Sequence, residues 1–228
     1  DLSNWENCGA IDGSGLGIKR TDWIDTWTWA PELIRDEKSG MYFLYFSASV
    51  AMGNPYVAKS DAYMYDRMYL GVAMSESPMG PYEVVTTESY YSIYANKDEN
   101  GNLDIVDGYL MGKDGDVITT VNENGEIENL NGDVITEKMP PINFGSDTAL
   151  KYIDGMDEKN IWPCIDASFF KDSSGRMFLS FVSHQSSYKS SITEDTKIIN
   201  YDRNDIWIVE MKDHITPDYS TLSLLSVA

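Results

Sequence analysis

Positive charge is scarce in this chain: 17 lysines and arginines face 37 aspartates and glutamates, for a formal charge of −20. Such a surface repels a phosphate backbone and an anionic bilayer. Nucleic acid and membranes are therefore excluded as expected partners, and neutral substrates or metal cations fit better. Cysteine is nearly absent. Cys8 and Cys164 are too few for a disulfide framework, and sequence leaves them paired or both free. No apolar run approaches the ~20 residues of a membrane span. Asp1 opens a polar stretch rather than a signal peptide, as in a mature secreted protein or an excised piece of a longer one. Helical periodicity is almost missing too.

What the chain does have is apolar and aromatic. Hydrophobic residues make up 42% of its 228 positions, enough for a core in one large domain or two small ones. The 15 tyrosines and 6 tryptophans suit packed β-structure and also suit a carbohydrate surface. Short apolar runs separated by turn signals predict an all-β chain.

An internal repeat sharpens that expectation. Residues 32–47 stack on residues 168–183: a short strand, a polar turn containing Gly, then a strand rich in aromatics. The turns are Asp36 to Gly40 and Asp172 to Gly175, where Asp, Ser and Gly supply local hydrogen bonds and positive φ. A third apolar strand follows each turn glycine by about thirty residues (69–75 and 205–211), and a fourth candidate follows each of those (81–85 and 222–225). Four antiparallel strands repeated radially make the blade of a β-propeller, and the repeat favours this over a sandwich. The opening segment, residues 1–9, reads as the tail of an earlier blade. About two complete blades plus a tail cannot close a ring. The expectation is that the remaining blades come from elsewhere in a parent chain or from a partner copy.

Residues 86–160 depart from the repeat. The stretch is acidic, rich in Asn, Gly and Asp, and too long for an ordinary connection. Gly115-Asp-Val-Ile-Thr recurs as Gly132-Asp-Val-Ile-Thr, and short polar hairpins are expected with turns at 123–125 and 130–132. It reads as an insertion between blades of a single propeller domain, residues 1–228, shaping a pocket mouth or decorating the surface.

Thr28-Trp-Ala-Pro-Glu-Leu-Ile with Met41-Tyr-Phe-Leu-Tyr-Phe-Ser resembles the second blade of glycoside hydrolase family 43. Ile165-Asp-Ala-Ser-Phe-Phe with Asp172-Ser-Ser-Gly-Arg-Met-Phe-Leu-Ser-Phe resembles its third. Residues 205–211 are similar to the strand that follows, and Gly80-Pro-Tyr-Glu to the outer-strand opening. The resemblance implies part of a five-bladed propeller that cleaves arabinofuranosides, xylosides and related plant linkages with inversion. Inversion uses an acid and a base about 6.5–9.5 Å apart with a water between. The family adds a third carboxylate that raises the acid's pKa, and Asp166 matches it. Trp29 and Ala30 match positions lining the sugar subsite. Each has a structural counterpart reading: Asp166 as a capping residue, Trp29 as packing at the blade's inner edge. Glu32 is given no catalytic role.

The family's base lies in an Asp-Pro motif of the first blade, and its acid in a Glu-Gly-Pro or Glu-Ala-Pro motif opening the fourth. The sequence shows neither, so this chain is expected to lack both proton-transfer residues, and Asp166 alone cannot run the reaction. Two other readings stand beside the hydrolase: a non-catalytic carbohydrate-binding propeller, and a retaining fructan- or sucrose-active propeller, against which the Trp-Ala-Pro-Glu stretch argues. The family's habit suits an exported protein, secreted or periplasmic, ahead of an intracellular one fed by oligosaccharide uptake. No cofactor and no metal are expected. His184 and His214 lack partners at ligand spacing and read as surface or loop residues. Residues 98–104 have the oxygens of a calcium loop, but Tyr109 stands where the bidentate Glu belongs, so a solvated turn is expected.

Overall fold

The computed structural model describes residues 22–50, 54, 68–144, 164–185 and 203–227. The first sheet runs in chain order through β1 (Ile24–Arg35), β2 (Tyr42–Val50), β3 (Met68–Ser75) and β4 (Glu83–Val84), each antiparallel to the next. A short helix α1 (Thr87–Ser92) follows, then a small sheet of β5 (Ile105–Val106), β6 (Tyr109–Met111) and β7 (Val117–Thr120). The second large sheet is again an antiparallel meander: β8 (Cys164–Lys171), β9 (Met177–Gln185), β10 (Arg203–Met211) and β11 (Pro217–Val227). The expected all-β class and the four-stranded antiparallel blade both hold. The fourth strand of the second sheet, β11, is longer than the four residues the sequence suggests.

The two units differ in one detail that moves half of the repeat. Arg35 pairs with Tyr42 across the first turn, whereas Lys171 pairs with Met177 across the second. The second turn is one residue shorter. In space, therefore, Ser47 corresponds to Val182, and not to Ser183 as the stacked sequences place it.

Alternation along β2 explains how the sheets assemble. Phe43 and Tyr45 belong to the core shared with Phe169, Leu179, Phe181 and Val209 of the second sheet. Leu44, Phe46 and Ala48 point the other way, into a separate cluster with Trp23, Tyr69 and Tyr82. Each large side chain buried in this way contributes roughly 1.5–3 kcal/mol. Gly71 is required on the second face: the Phe46 ring lies directly over it, and a Cβ there would meet ring carbons. The second sheet buries only one face against the first. On its other side Phe170 and Ile206 stay 43% and 39% exposed.

The segment between the sheets builds its own elements and joins the main core. Thr86 caps α1: its hydroxyl accepts from the Ser89 amide, and the Ser89 hydroxyl accepts from the Thr86 amide. The helix buries Tyr90 and Tyr91, and Leu110, Ile127, Ile135 and Phe144 pack into the same cluster. Phe144 stacks on Phe181 at 4.3 Å. The expected polar turns close on their own side chains. The side chains of Asp98, Asn122 and Asn129 each accept from the amides two and four residues on.

Candidate functional site

The two motif segments, 28–32 and 165–168, break their ladders at the same step. The β1–β2 register shifts between Trp29 and Glu32, and the β8–β9 register shifts between Ile165 and Ser168. Each irregularity holds a residue with positive φ, Ala30 at 49° and Asp166 at 55°. An L-residue pays about 1–2 kcal/mol for this conformation, and Asp tolerates it better than Ala because its short polar side chain can bond locally. A bulge of this kind re-aims side chains out of the ladder. Asp166 is exposed, and Trp29 and Ala30 are half-buried.

One buried serine joins the segments. Ser47 is fully buried on β2, directly opposite Trp29. Its hydroxyl accepts the Asp166 amide at 3.0 Å, across the boundary between the two sheets. The amide that the bulge removes from the β8–β9 ladder thus finds its partner in the neighbouring sheet. Trp29 with Ala30 in the middle of β1, and Asp166 near the start of β8, are thereby linked through one residue, away from the two hairpin turns. Glu32 pairs with Tyr45 further along β1 and is half-buried.

A second constellation lies at the opposite end of these strands, where the turns meet the segment after β4. There a cleft of about 400 Å³ is lined by Asp36, Lys171, Tyr91, Tyr94, Asp213 and His214 among others. His214, expected at the surface, sits in the β10–β11 turn but is buried, 3% exposed. Its ring stacks on Phe43 at 4.3 Å and on Phe169 at 5.0 Å, one from each sheet. Its Nδ1 lies 3.2 Å from the Tyr45 hydroxyl and its Nε2 3.5 Å from Asp36. Asp36 also accepts from the Ser39 amide and hydroxyl and from the Tyr94 hydroxyl. His214 first, then the Ser39 donors, hold the Asp36 carboxyl well below the usual carboxylate range against the opposing effect of burial. The Tyr91 hydroxyl donates to Asp213 at 2.6 Å, and burial first and that carboxylate second push its phenol up. The polar groups here bond one another, so the cleft works as a tie between elements.

His184 falls within β9, and its side chain lies outside the described residues, as does Cys8. Cys164 is buried, which pushes its thiol up. Among the described residues no group of three or more His, Cys, Asp or Glu could hold a metal ion, and no helix is long and apolar enough to cross a membrane. The turn at Asp98 is closed by its own Asn100 and Asn102. Sequence reasoning missed Ser47 and the Asp36–His214 pair. The signal for Ser47 was a hydroxyl at a period-two position after Phe43 and Tyr45, where the pattern demands an apolar residue.

No family model matches the chain, and no curated protein matches it. Solved structures do resemble it loosely. An endo-1,4-beta-xylanase from Bacteroides thetaiotaomicron VPI-5482 is 19% identical, with a TM-score of 0.39 over 92% of this chain and 38% of that one. A thermostable family-43 glycoside hydrolase is 14% identical, with a TM-score of 0.43 over 94% of this chain and 41% of that one. An endo-1,5-alpha-L-arabinanase from Thermotoga petrophila RKU-1 is 14% identical, with a TM-score of 0.24 over 82% of this chain and 38% of that one. The chain thus spans about two-fifths of the length of these structures. Superpositions this loose leave the functional assignment to the residues themselves.

Proposed function

We propose that these residues are the second and third blades of an inverting glycoside hydrolase resembling family 43, acting on arabinofuranosyl- or xylosyl-containing plant glycans. The observation that supports this best is the paired bulge. Two motif segments distant in sequence present an exposed carboxylate, Asp166, and a tryptophan segment, Trp29-Ala30, joined through Ser47.

In this reading the Asp166 carboxylate stands near a carboxylic acid that protonates the leaving oxygen. A negative charge beside that acid raises its pKa and keeps it protonated near neutrality. The Trp29 indole offers an apolar face to the sugar ring and excludes water, while Ala30 leaves room for the ring. The acid and the base belong to other blades of the full-length protein or to a partner copy. The exposed apolar side of the second sheet, with Phe170 stacked on Phe178 at 5.4 Å, suits such a further blade. It corresponds to the side of the first sheet that the second sheet covers.

The test is hydrolysis of aryl α-L-arabinofuranoside and aryl β-D-xyloside by the full-length protein, with the anomer of the released sugar followed by NMR. Turnover with inversion that collapses in Asp166→Asn supports the reading. Specific sugar binding without turnover would instead favour a carbohydrate-binding propeller, and retention of configuration would favour the fructan- or sucrose-active kind.

A further inference from the structure

We infer that Ser47 is the positioning residue for Asp166, so that the first sheet sets the geometry of a carboxylate carried by the second. The inference rests on the reading of Asp166 as a site carboxylate.

Three observations carry it. Asp166 occupies a left-handed conformation inside a bulge, where the ladder no longer fixes its backbone. A conformation that sparse persists only when the surroundings over-determine it. Its amide donates to the Ser47 hydroxyl at 3.0 Å. Ser47 itself has no freedom to follow: it is fully buried within β2, flanked by Phe46 and Ala48 and held in register with Trp29 on one side and Leu70 on the other.

The position also breaks the rule of its own strand. Phe43 and Tyr45, four and two residues earlier, present large apolar groups to the second sheet. A serine in that series gives up packing and buries a hydroxyl, which is unfavourable unless the hydroxyl is used. The spatial counterpart in the second sheet is Val182, which has no hydroxyl, so the bond is not a general property of the blade. Its consequence is specific. One hydrogen bond fixes the backbone from which the Asp166 carboxylate leaves the strand, relative to the residue opposite Trp29.

The test uses Ser47→Ala and Ser47→Cys. Cysteine fills nearly the same space but accepts a hydrogen bond poorly, so it separates the bond from the packing. In this chain with ¹⁵N-labelled aspartate, both variants are expected to abolish the hydrogen-exchange protection of the Asp166 amide while the core amides of β2 and β9 keep theirs. In the full-length protein, both are expected to lower kcat about tenfold or more with KM changed less than about twofold, since a misplacement near 1 Å suffices for such losses. A Ser47→Cys protein with native kcat, or an Asp166 amide as well protected in both variants as in the native protein, overturns the inference. Failure of the underlying reading looks different: there Asp166→Asn leaves kcat unchanged whatever happens at Ser47.

Discussion

Ala30 and Asp166 stand at the same step of the first strand in their two sheets, and both hold a left-handed backbone, with φ of 49° and 55°. The repeat seen in the sequence thus extends to a shared distortion. The distortion falls inside the two motifs that carry the resemblance to a hydrolase family. Strain of this kind is stored where a side chain must be aimed rather than packed.

Substitutions at these two positions should therefore follow backbone tolerance more than side-chain volume. Ala30→Val places a β-branched residue in the left-handed region and is expected to destabilise by about 2 kcal/mol or more, whereas Ala30→Gly should stay within about 1 kcal/mol of the native protein. Asp166→Asn should leave stability almost unchanged, because Asn tolerates the same conformation. Urea denaturation followed by tryptophan fluorescence checks all three. An Ala30→Val protein as stable as the native one would show that the bulge is not fixed.

Much of this fold was legible in the sequence because strands announce themselves by alternation and turns by chemistry. Asp36 to Gly40 and Asp172 to Gly175 marked the hairpins, and 205–211 read as a strand from its apolar run. The register did not follow, since a turn one residue shorter shifts β9 against β2 without changing the pattern of either strand. Helix α1 escaped notice because six residues give too little periodicity and its capping box carries Ser89 where Glu or Gln is usual. Asp166 and Trp29 were visible as motif residues. Ser47 carries no motif and His214 reads as a surface or loop residue, because their significance lies in partners 119 and 169 positions away in the chain.

Asp36 should give the protein an acid-sensitive stability. Its folded-state pKa lies below the unfolded value of about 3.9, so its contribution is complete above that value and is lost as pH falls below it. Removing one partner of a buried pair typically costs about 3–5 kcal/mol. Asp36→Asn is expected to lower Tm strongly at neutral pH, and the gap to the native protein should narrow as the pH drops below about 4. Thermal melts across that range decide it; a gap independent of pH would mean that Asp36 contributes only through neutral hydrogen bonds.

Gly71→Ala should be among the most harmful small substitutions in the chain. The added methyl meets the Phe46 ring over a buried strand, and overpacking of this kind costs roughly 1–3 kcal/mol. Shrinking the ring in the double variant Gly71→Ala/Phe46→Leu should recover part of that loss. A double-mutant cycle by chemical denaturation measures the coupling, and strictly additive effects would contradict the contact.

The segment after β4 should behave as core. The Tyr90 hydroxyl accepts the His214 amide at 3.1 Å, and its ring packs on Phe43 at 5.8 Å. Tyr90→Ala is expected to cost about 3–5 kcal/mol, in the range of large-to-small aromatic truncations, and to lower the unfolding midpoint of the whole protein in a single transition. A melt in which only this segment loosens early would show it to be an appendage.

The central claim is that Asp166 serves the chemistry of a sugar site, and its most direct measurement is kcat/KM of the full-length protein on aryl α-L-arabinofuranoside and aryl β-D-xyloside, native against Asp166→Asn. The account expects a loss of about 100-fold or more on whichever glycoside is cleaved, the size of a typical acid–base contribution, with Tm unchanged. Turnover within about twofold of the native protein in a fully folded Asp166→Asn variant would contradict it.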